Sequence, residues 1–406
     1  LSETHPWLGD VIREEVLLAL SRFRDIRLVS DTAASSAPSL GHSFGERDYQ
    51  LSIRLSGRGP SIMVFARISR LETQEIICAD REQLDMATPT PDIEQLIRKI
   101  AAAALPRVHD DVARHLPAQT EDAYGVYFRN KLAMRTADTL EEMRAVARAW
   151  EALLQAQPNF APAYAPLIRL YNTDFGYTGL GTTTDVERGH AYALARKAVR
   201  LDPSEPYLQT VSAWSHLWAG EAGSARDHLE QALELNPFQR DRLLEVATAK
   251  MFLGDLDEAA ELLARCETLT PFATAAPHEE AGLLHLLLGQ HDKALKCLSR
   301  ITQPTTSSEL YALLAAGASG APDFAMRVGE WVQQTCERWQ GSSRPDAEVL
   351  SKWVLYHHPF QDERTREWLL ELLRPALSSA LQASGRTRAQ ARPKGSFEPS
   401  TGPAAF

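Results

Sequence analysis

Three evenly spaced prolines constrain this chain more than any other feature. Leu201-Asp202-Pro203, Leu235-Asn236-Pro237 and Leu269-Thr270-Pro271 each close an apolar run, and they stand 34 residues apart, twice over. Ala191, Ala225 and Ala259 keep the same step twelve residues before each proline, and Gly220 and Gly254 fall inside two successive units. The residue types have mechanical reasons. Paired helices approach closely only where the crossing carries a small side chain. Proline ends a helix because it lacks the N–H and disfavours helical geometry in the residue before it, and glycine lets the backbone turn.

A 34-residue period of helix, turn and helix is the tetratricopeptide (TPR) signature. Extended backwards, the frame meets Pro158 at one period plus eleven residues, so an insertion is expected at Asn172–Val186. Extended forwards, Gly289 and Ala294 follow Gly254 and Ala259 at 35 residues, and the unit ends near Pro304. An earlier pair opens around Thr120–Arg135, and Thr139-Leu140-Glu141-Glu142 is a capping box before Val146, Trp150 and Leu153. The array of about five helix pairs is thus predicted over 119–304. Capping helices are expected over 305–377, and a disordered tail rich in Ala, Ser, Gly and Pro over 378–406.

The first 118 residues read differently. Trp7–Phe23 places Leu8, Ile12, Val16 and Leu20 on one helical face, and Ile93–Leu116 is a second amphipathic helix. Between them Ile26–Ser30, Tyr49–Ser56, Ser61–Leu71 and Gln74–Cys78 alternate like strands, with Gly57-Arg58-Gly59-Pro60 as a turn. The expected fold class is α+β overall: a small N-terminal α/β domain followed by an all-α TPR superhelix.

This order of elements resembles a family of bacterial regulators in which a domain similar to the amino-terminal domain of TolB precedes a tetratricopeptide array. Leu20-Ser21-Arg22-Phe23-Arg24 before Ile26-Arg27-Leu28-Val29-Ser30, then Asp48-Tyr49-Gln50-Leu51, carry the resemblance in the first domain. Ala195-Arg196-Lys197-Ala198-Val199-Arg200-Leu201-Asp202-Pro203 carries it in the repeats. The resemblance implies an effector domain ahead of the array, either a winged-helix DNA-binding domain or a class III adenylate cyclase domain. Neither occurs here, and the family's first strand is absent from residues 1–6. Where the family carries Gly-x-x-x-x-Trp in its last strand, this chain has Glu75-Ile76-Ile77-Cys78-Ala79. A chain beginning at Leu1 is therefore read as a piece of a longer regulator.

Composition narrows the functions. A formal net charge of −10 argues against direct nucleic-acid binding by this segment, which would need a basic face to neutralise phosphates. Four cysteines (Cys78, Cys266, Cys297, Cys336) without C-x-x-C spacing suggest reduced thiols in a cytoplasmic protein. No stretch is apolar for long enough to span a membrane.

Several motifs suggest chemistry without the context it needs. Gly41-His42-Ser43-Phe44-Gly45 matches the nucleophile elbow of serine hydrolases, but that elbow requires a strand before and a helix after, and Pro38 and its neighbouring serines supply neither. Gly176, Gly179 and Gly181 lack the Lys-Ser/Thr of a phosphate loop. His357-His358 point about 100° apart on a helix and chelate poorly. Asp110-Asp111 and Glu279-Glu280 are read as diverging into solvent. No enzyme, cofactor or metal is expected. The expected activity is protein–protein interaction, with a protein or peptide held in the array's concave groove. The 34-residue frame places Arg169, Asn172, Trp214, Trp218, Asp241, Thr248 and Met251 on that side. Trp214 and Trp218 lie one turn apart and form the preferred anchor, although tryptophan at helical spacing also suits core packing. The effector, a transcription factor's or a cyclase's, stays open, as does a stand-alone scaffold.

Overall fold

A computed structural model describes residues 7–23, 28–29, 47–57, 61–86, 89–115, 122–182, 184–269, 277–341 and 345–390. The chain is α+β, mostly helical with one small antiparallel sheet near the N-terminus.

Helix α1 (Leu8–Leu20) precedes strands β1 (Tyr49–Ser56), β2 (Ser61–Arg70) and β3 (Ile76–Asp85), ordered β1-β2-β3. The register pairs Tyr49 with Arg70 and Ser56 with Met63, then Ser61 with Asp85, with a bulge at Ile68/Ser69. Alternation decides the faces: Ile62, Val64 and Ile68 of β2 are buried against Leu8, Ile12 and Val16 of α1 and Leu96, Ile97 and Ile100 of α2 (Pro89–His115). The third strand starts later and runs longer than its sequence suggests, because Arg81, Glu82 and Gln83 continue a ladder that periodicity alone would end at the charged residues. Of the strand expected at 26–30, Leu28 and Val29 carry no regular structure; the rest lies outside the described residues.

Arg70 fixes the sheet to α2. Its guanidinium donates to Asp111 Oδ2 at 2.7 Å, and Tyr49 Oη donates to the same oxygen at 2.7 Å. Asp111 is buried in this network and Asp110 pairs with Arg135, so these acids do not diverge into solvent.

Two helices, α3 (Ala123–Thr136) and α4 (Leu140–Ala156), lead into the array. The capping box at Thr139 is formed in full: its Oγ1 accepts from Glu142 N while Glu142 reaches back to Thr139 N. Helical structure continues through α5 (Tyr164–Arg169), a π turn (Leu170–Asp174) and α6 (Phe175–Thr178). Part of the insertion expected at Asn172–Val186 is thus helical: the π turn takes one extra residue without breaking the hydrogen-bond ladder, and the helix runs on to Thr178 before the chain leaves it ahead of Asp185. Then come α7 (Asp185–Leu201), α8 (Pro206–Trp218), α9 (Ala222–Leu235), α10 (Arg240–Leu253), α11 (Leu256–Thr268), α12 (His278–Leu287) and α13 (His291–Leu298).

Within the pairs α8/α9, α10/α11 and α12/α13 the turn glycines Gly220, Gly254 and Gly289 sit at φ +77, +86 and +72. Ala191, Ala225, Ala259 and Ala294 are buried at the crossings. Asp202 and Asn236, before the prolines, accept from the backbone N–H two residues on. Past Pro304 the same turn recurs at Gly320, φ +69, between α14 (Thr306–Ala318) and α15 (Phe324–Arg338). The hairpin pattern thus outlasts its sequence period.

The last helices are α16 (Ala347–His357) and α17 (Glu363–Gln390). The tail expected to be disordered from 378 is helical as far as Gln390, since Leu369, Leu373 and Leu377 form a buried stripe that Ala380 and Leu381 prolong. Residues 391–406 lie outside the described ones.

Candidate partner groove

Helix α8 packs beside α5, the π turn and α10, and the end of the chain returns over this layer. After α15 the backbone returns: Gln340 N donates to Leu180 O at 2.8 Å, and Gln361 N donates to Phe252 O at 2.8 Å. Gln361 Nε2 donates to Leu217 O at 3.2 Å. Phe360 packs edge-on to Phe252 at 4.8 Å, and Phe252 edge-on to Trp214 at 5.8 Å. Two glycines make room. A Cβ at Gly176 would meet the His357 imidazole at 2.1 Å, and one at Gly181 the Trp339 ring at 2.3 Å. Their spacing, which faintly suggested a phosphate loop, therefore admits aromatic rings.

At one end of this seam Arg188 lies between two aromatic faces, 3.6 Å from the Trp218 centroid and 3.8 Å from that of Tyr356. Its Nε and Nη2 are buried without a hydrogen-bond partner. Desolvation lowers its pKa to about 10, so it stays charged at neutral pH and is held by the ring quadrupoles. Tyr356 Oη donates to Asp185 at 2.6 Å, closing the stack. His357 and His358 are both buried, and burial pushes both imidazoles below their ordinary range. Among the described residues no group of three or more His, Cys, Asp or Glu could hold a metal ion.

The seven groove positions separate by surroundings. Trp214 and Trp218 are half-buried, their rings 6.4 Å apart and engaged by Phe252 and by Arg188. Asn172 is 2% exposed: the π turn aims its Nδ2 at Val211 O (3.1 Å) and Ser215 Oγ (3.0 Å), away from any partner. Met251 is 1% exposed and belongs to the core. These two are corrections to the frame-based assignment: a widened helical turn rotates Asn172, and Met251 faces the neighbouring hairpin. Thr248 is half-buried, its Oγ1 donating to Leu244 O in its own helix.

Arg169 and Asp241 retain open side chains, 42% and 70% exposed. Arg169 Nε lies 3.3 Å from Glu245 Oε1, and its Nη1 lies 3.9 Å from Asp174 Oδ2. The Asp174 carboxylate, with Glu245, holds its guanidinium above the ordinary arginine range. Arg242 pairs with Glu245 and stacks 3.7 Å over Tyr207. These residues form a charged, aromatic-backed cluster: Arg169, Tyr207, Asp241, Arg242 and Glu245. The frame could have found Tyr207, which stands 34 residues before Asp241, and in the filled seam Phe252, which stands 34 after Trp218. Arg188 and Tyr356 carried no local signal. Glu279, half-buried, accepts from Thr305 Oγ1 at 2.6 Å; burial raises its pKa and that of Glu280, which solvated acids would not show. The Ser43 motif lies outside the described residues. Among the described residues, no helix is long and apolar enough to cross a membrane.

No protein-family model matches the chain, and no curated protein matches it.

Proposed function

We propose that this chain is a non-catalytic protein-interaction and regulatory module, a TPR array behind a TolB-like α/β domain, serving a bacterial transcriptional regulator. The observation that carries the reading is the charged cluster of Arg169, Asp241, Arg242 and Glu245 beside hairpins whose sequence recurs every 34 or 35 residues. Such a surface recognises an extended or helical protein segment through charge-assisted hydrogen bonds and stacking on Tyr207. Trp214 and Trp218 are engaged by the chain itself, Trp214 through Phe252 to Phe360 and Trp218 through Arg188 to Tyr356.

The test is site-specific photocrosslinking in cells. A benzoylphenylalanine at Asp241 is expected to capture a discrete protein, and the adduct is lost on Arg169→Glu with helicity unchanged. The same probe at Glu230, exposed on α9, serves as control. Equal capture from Glu230, or none from Asp241, overturns the reading.

A further inference from the structure

On the side of α8 turned away from the groove, a second cluster has no role in the partner surface. Ser212 and His216 are four residues apart and share a face, whereas Trp214 and Trp218, two residues further on, lie about 200° round the helix. With Arg196 and Arg200 of α7 and His228 of α9 they line a pocket of about 190 Å³. Arg196 and Arg200 are also four apart, and both are exposed at its mouth.

The hydrogen bonds orient the imidazoles. Gln209 Nε2 donates to Pro203 O at 2.8 Å, which leaves its Oε1 to accept from His228 Nδ1 at 2.6 Å. His216 Nδ1 lies 2.6 Å from Glu221 Oε2 and donates to it. Each ring therefore keeps Nε2 for another partner, and the rings stack at 5.0 Å. Ser212 Oγ is buried with no hydrogen-bond partner. Two carboxylates share the neighbourhood. Glu221 is engaged by His216 and by Tyr192 Oη at 2.9 Å. Burial and the neighbouring His216 lower the His228 pKa, and Asp227 opposes them. With both histidines neutral the four full charges, Arg196, Arg200, Glu221 and Asp227, cancel. Protonated histidines make the pocket cationic.

We propose that this pocket binds a tetrahedral oxyanion of the phosphate class, held by Arg196, Arg200, Ser212 Oγ and the Nε2 atoms of His216 and His228. Guanidinium forks and imidazolium N–H groups are the donors such an anion takes, and the hydroxyl supplies the neutral one. The anion can be a free ion or the phosphoryl group of a larger molecule, since the mouth is open at the arginines.

Calorimetric titration of the whole chain tests the proposal with three probes. Sulfate keeps its charge across the histidine range, so its binding should be saturable and about tenfold tighter near pH 5.5 than near pH 8. Arg196→Gln with Arg200→Gln, both exposed and so harmless to folding, should weaken sulfate by about tenfold or more, since hydrogen bonds to a charged group are worth about 1.5–3 kcal/mol each. His216→Gln with His228→Gln should remove most of the pH dependence. Inorganic phosphate binding tighter than phenyl phosphate assigns the free ion; the reverse assigns a phosphoryl group on a larger molecule. No saturable binding of any probe, or binding unchanged in the double arginine variant, overturns the proposal.

Discussion

Acid should destabilise this fold through the buried His358. His358 is buried at the end of α16, its Nδ1 donating to Val354 O at 2.7 Å. Burial depresses its pKa from 6.5 to about 4. The unfolded chain therefore binds a proton that the folded chain refuses throughout this window. The stability this group contributes is complete above 6.5 and is lost as pH falls towards 4, about 3 kcal/mol in all and about 2 kcal/mol of it between pH 7 and pH 5. His357 adds a loss of the same sign, its imidazole also depressed by burial. Glu279 and Glu280, whose pKa values are raised by burial, act in the opposite direction as they protonate, so the raw pH slope is mixed. Urea unfolding of the native protein and of His358→Gln at the two pH values isolates the term: the native protein should lose about 2 kcal/mol more than the variant. Parallel slopes would refute the argument. So would an NMR titration in which the His358 ring protonates near its ordinary value, a measurement that needs no variant to fold.

Three further outcomes follow from buried contacts. Arg70→Met leaves the Asp111 carboxylate buried beside Tyr49 without its guanidinium, and should cost about 3–5 kcal/mol in denaturant unfolding; a loss within experimental scatter would mean the pair is solvated. Trp150, fully buried between α3 and α5, should cost about 3–5 kcal/mol when cut to alanine, read as a drop in urea midpoint at unchanged slope. Gly254→Ala forces a Cβ into φ +86, where nothing lies within 4 Å, so backbone strain alone should lower stability by about 1 kcal/mol; a neutral result would place that turn elsewhere in conformational space.

The sequence by itself determined the hairpins. Their determinants are local: a small residue at each crossing and a glycine in the left-handed region at each turn, repeated every 34 or 35 residues, with Asp202 and Asn236 beside two of the closing prolines. It also determined the first helix, the strand pair β1/β2 and the capping box at Thr139, because alternation and capping act over a few residues. Of the positions its frame singled out, Arg169 and Asp241 keep open side chains. Only the tertiary structure decided what surrounds the others. Tyr356 donates to the Asp185 carboxylate across 171 residues, and Gln361 reaches the Leu217 backbone carbonyl, which any sequence would offer, across 144. Such contacts leave no periodic trace. The π turn likewise turned Asn172 inward, since one extra residue in a helical turn rotates every following side chain without altering the residue types that a periodic reading depends on.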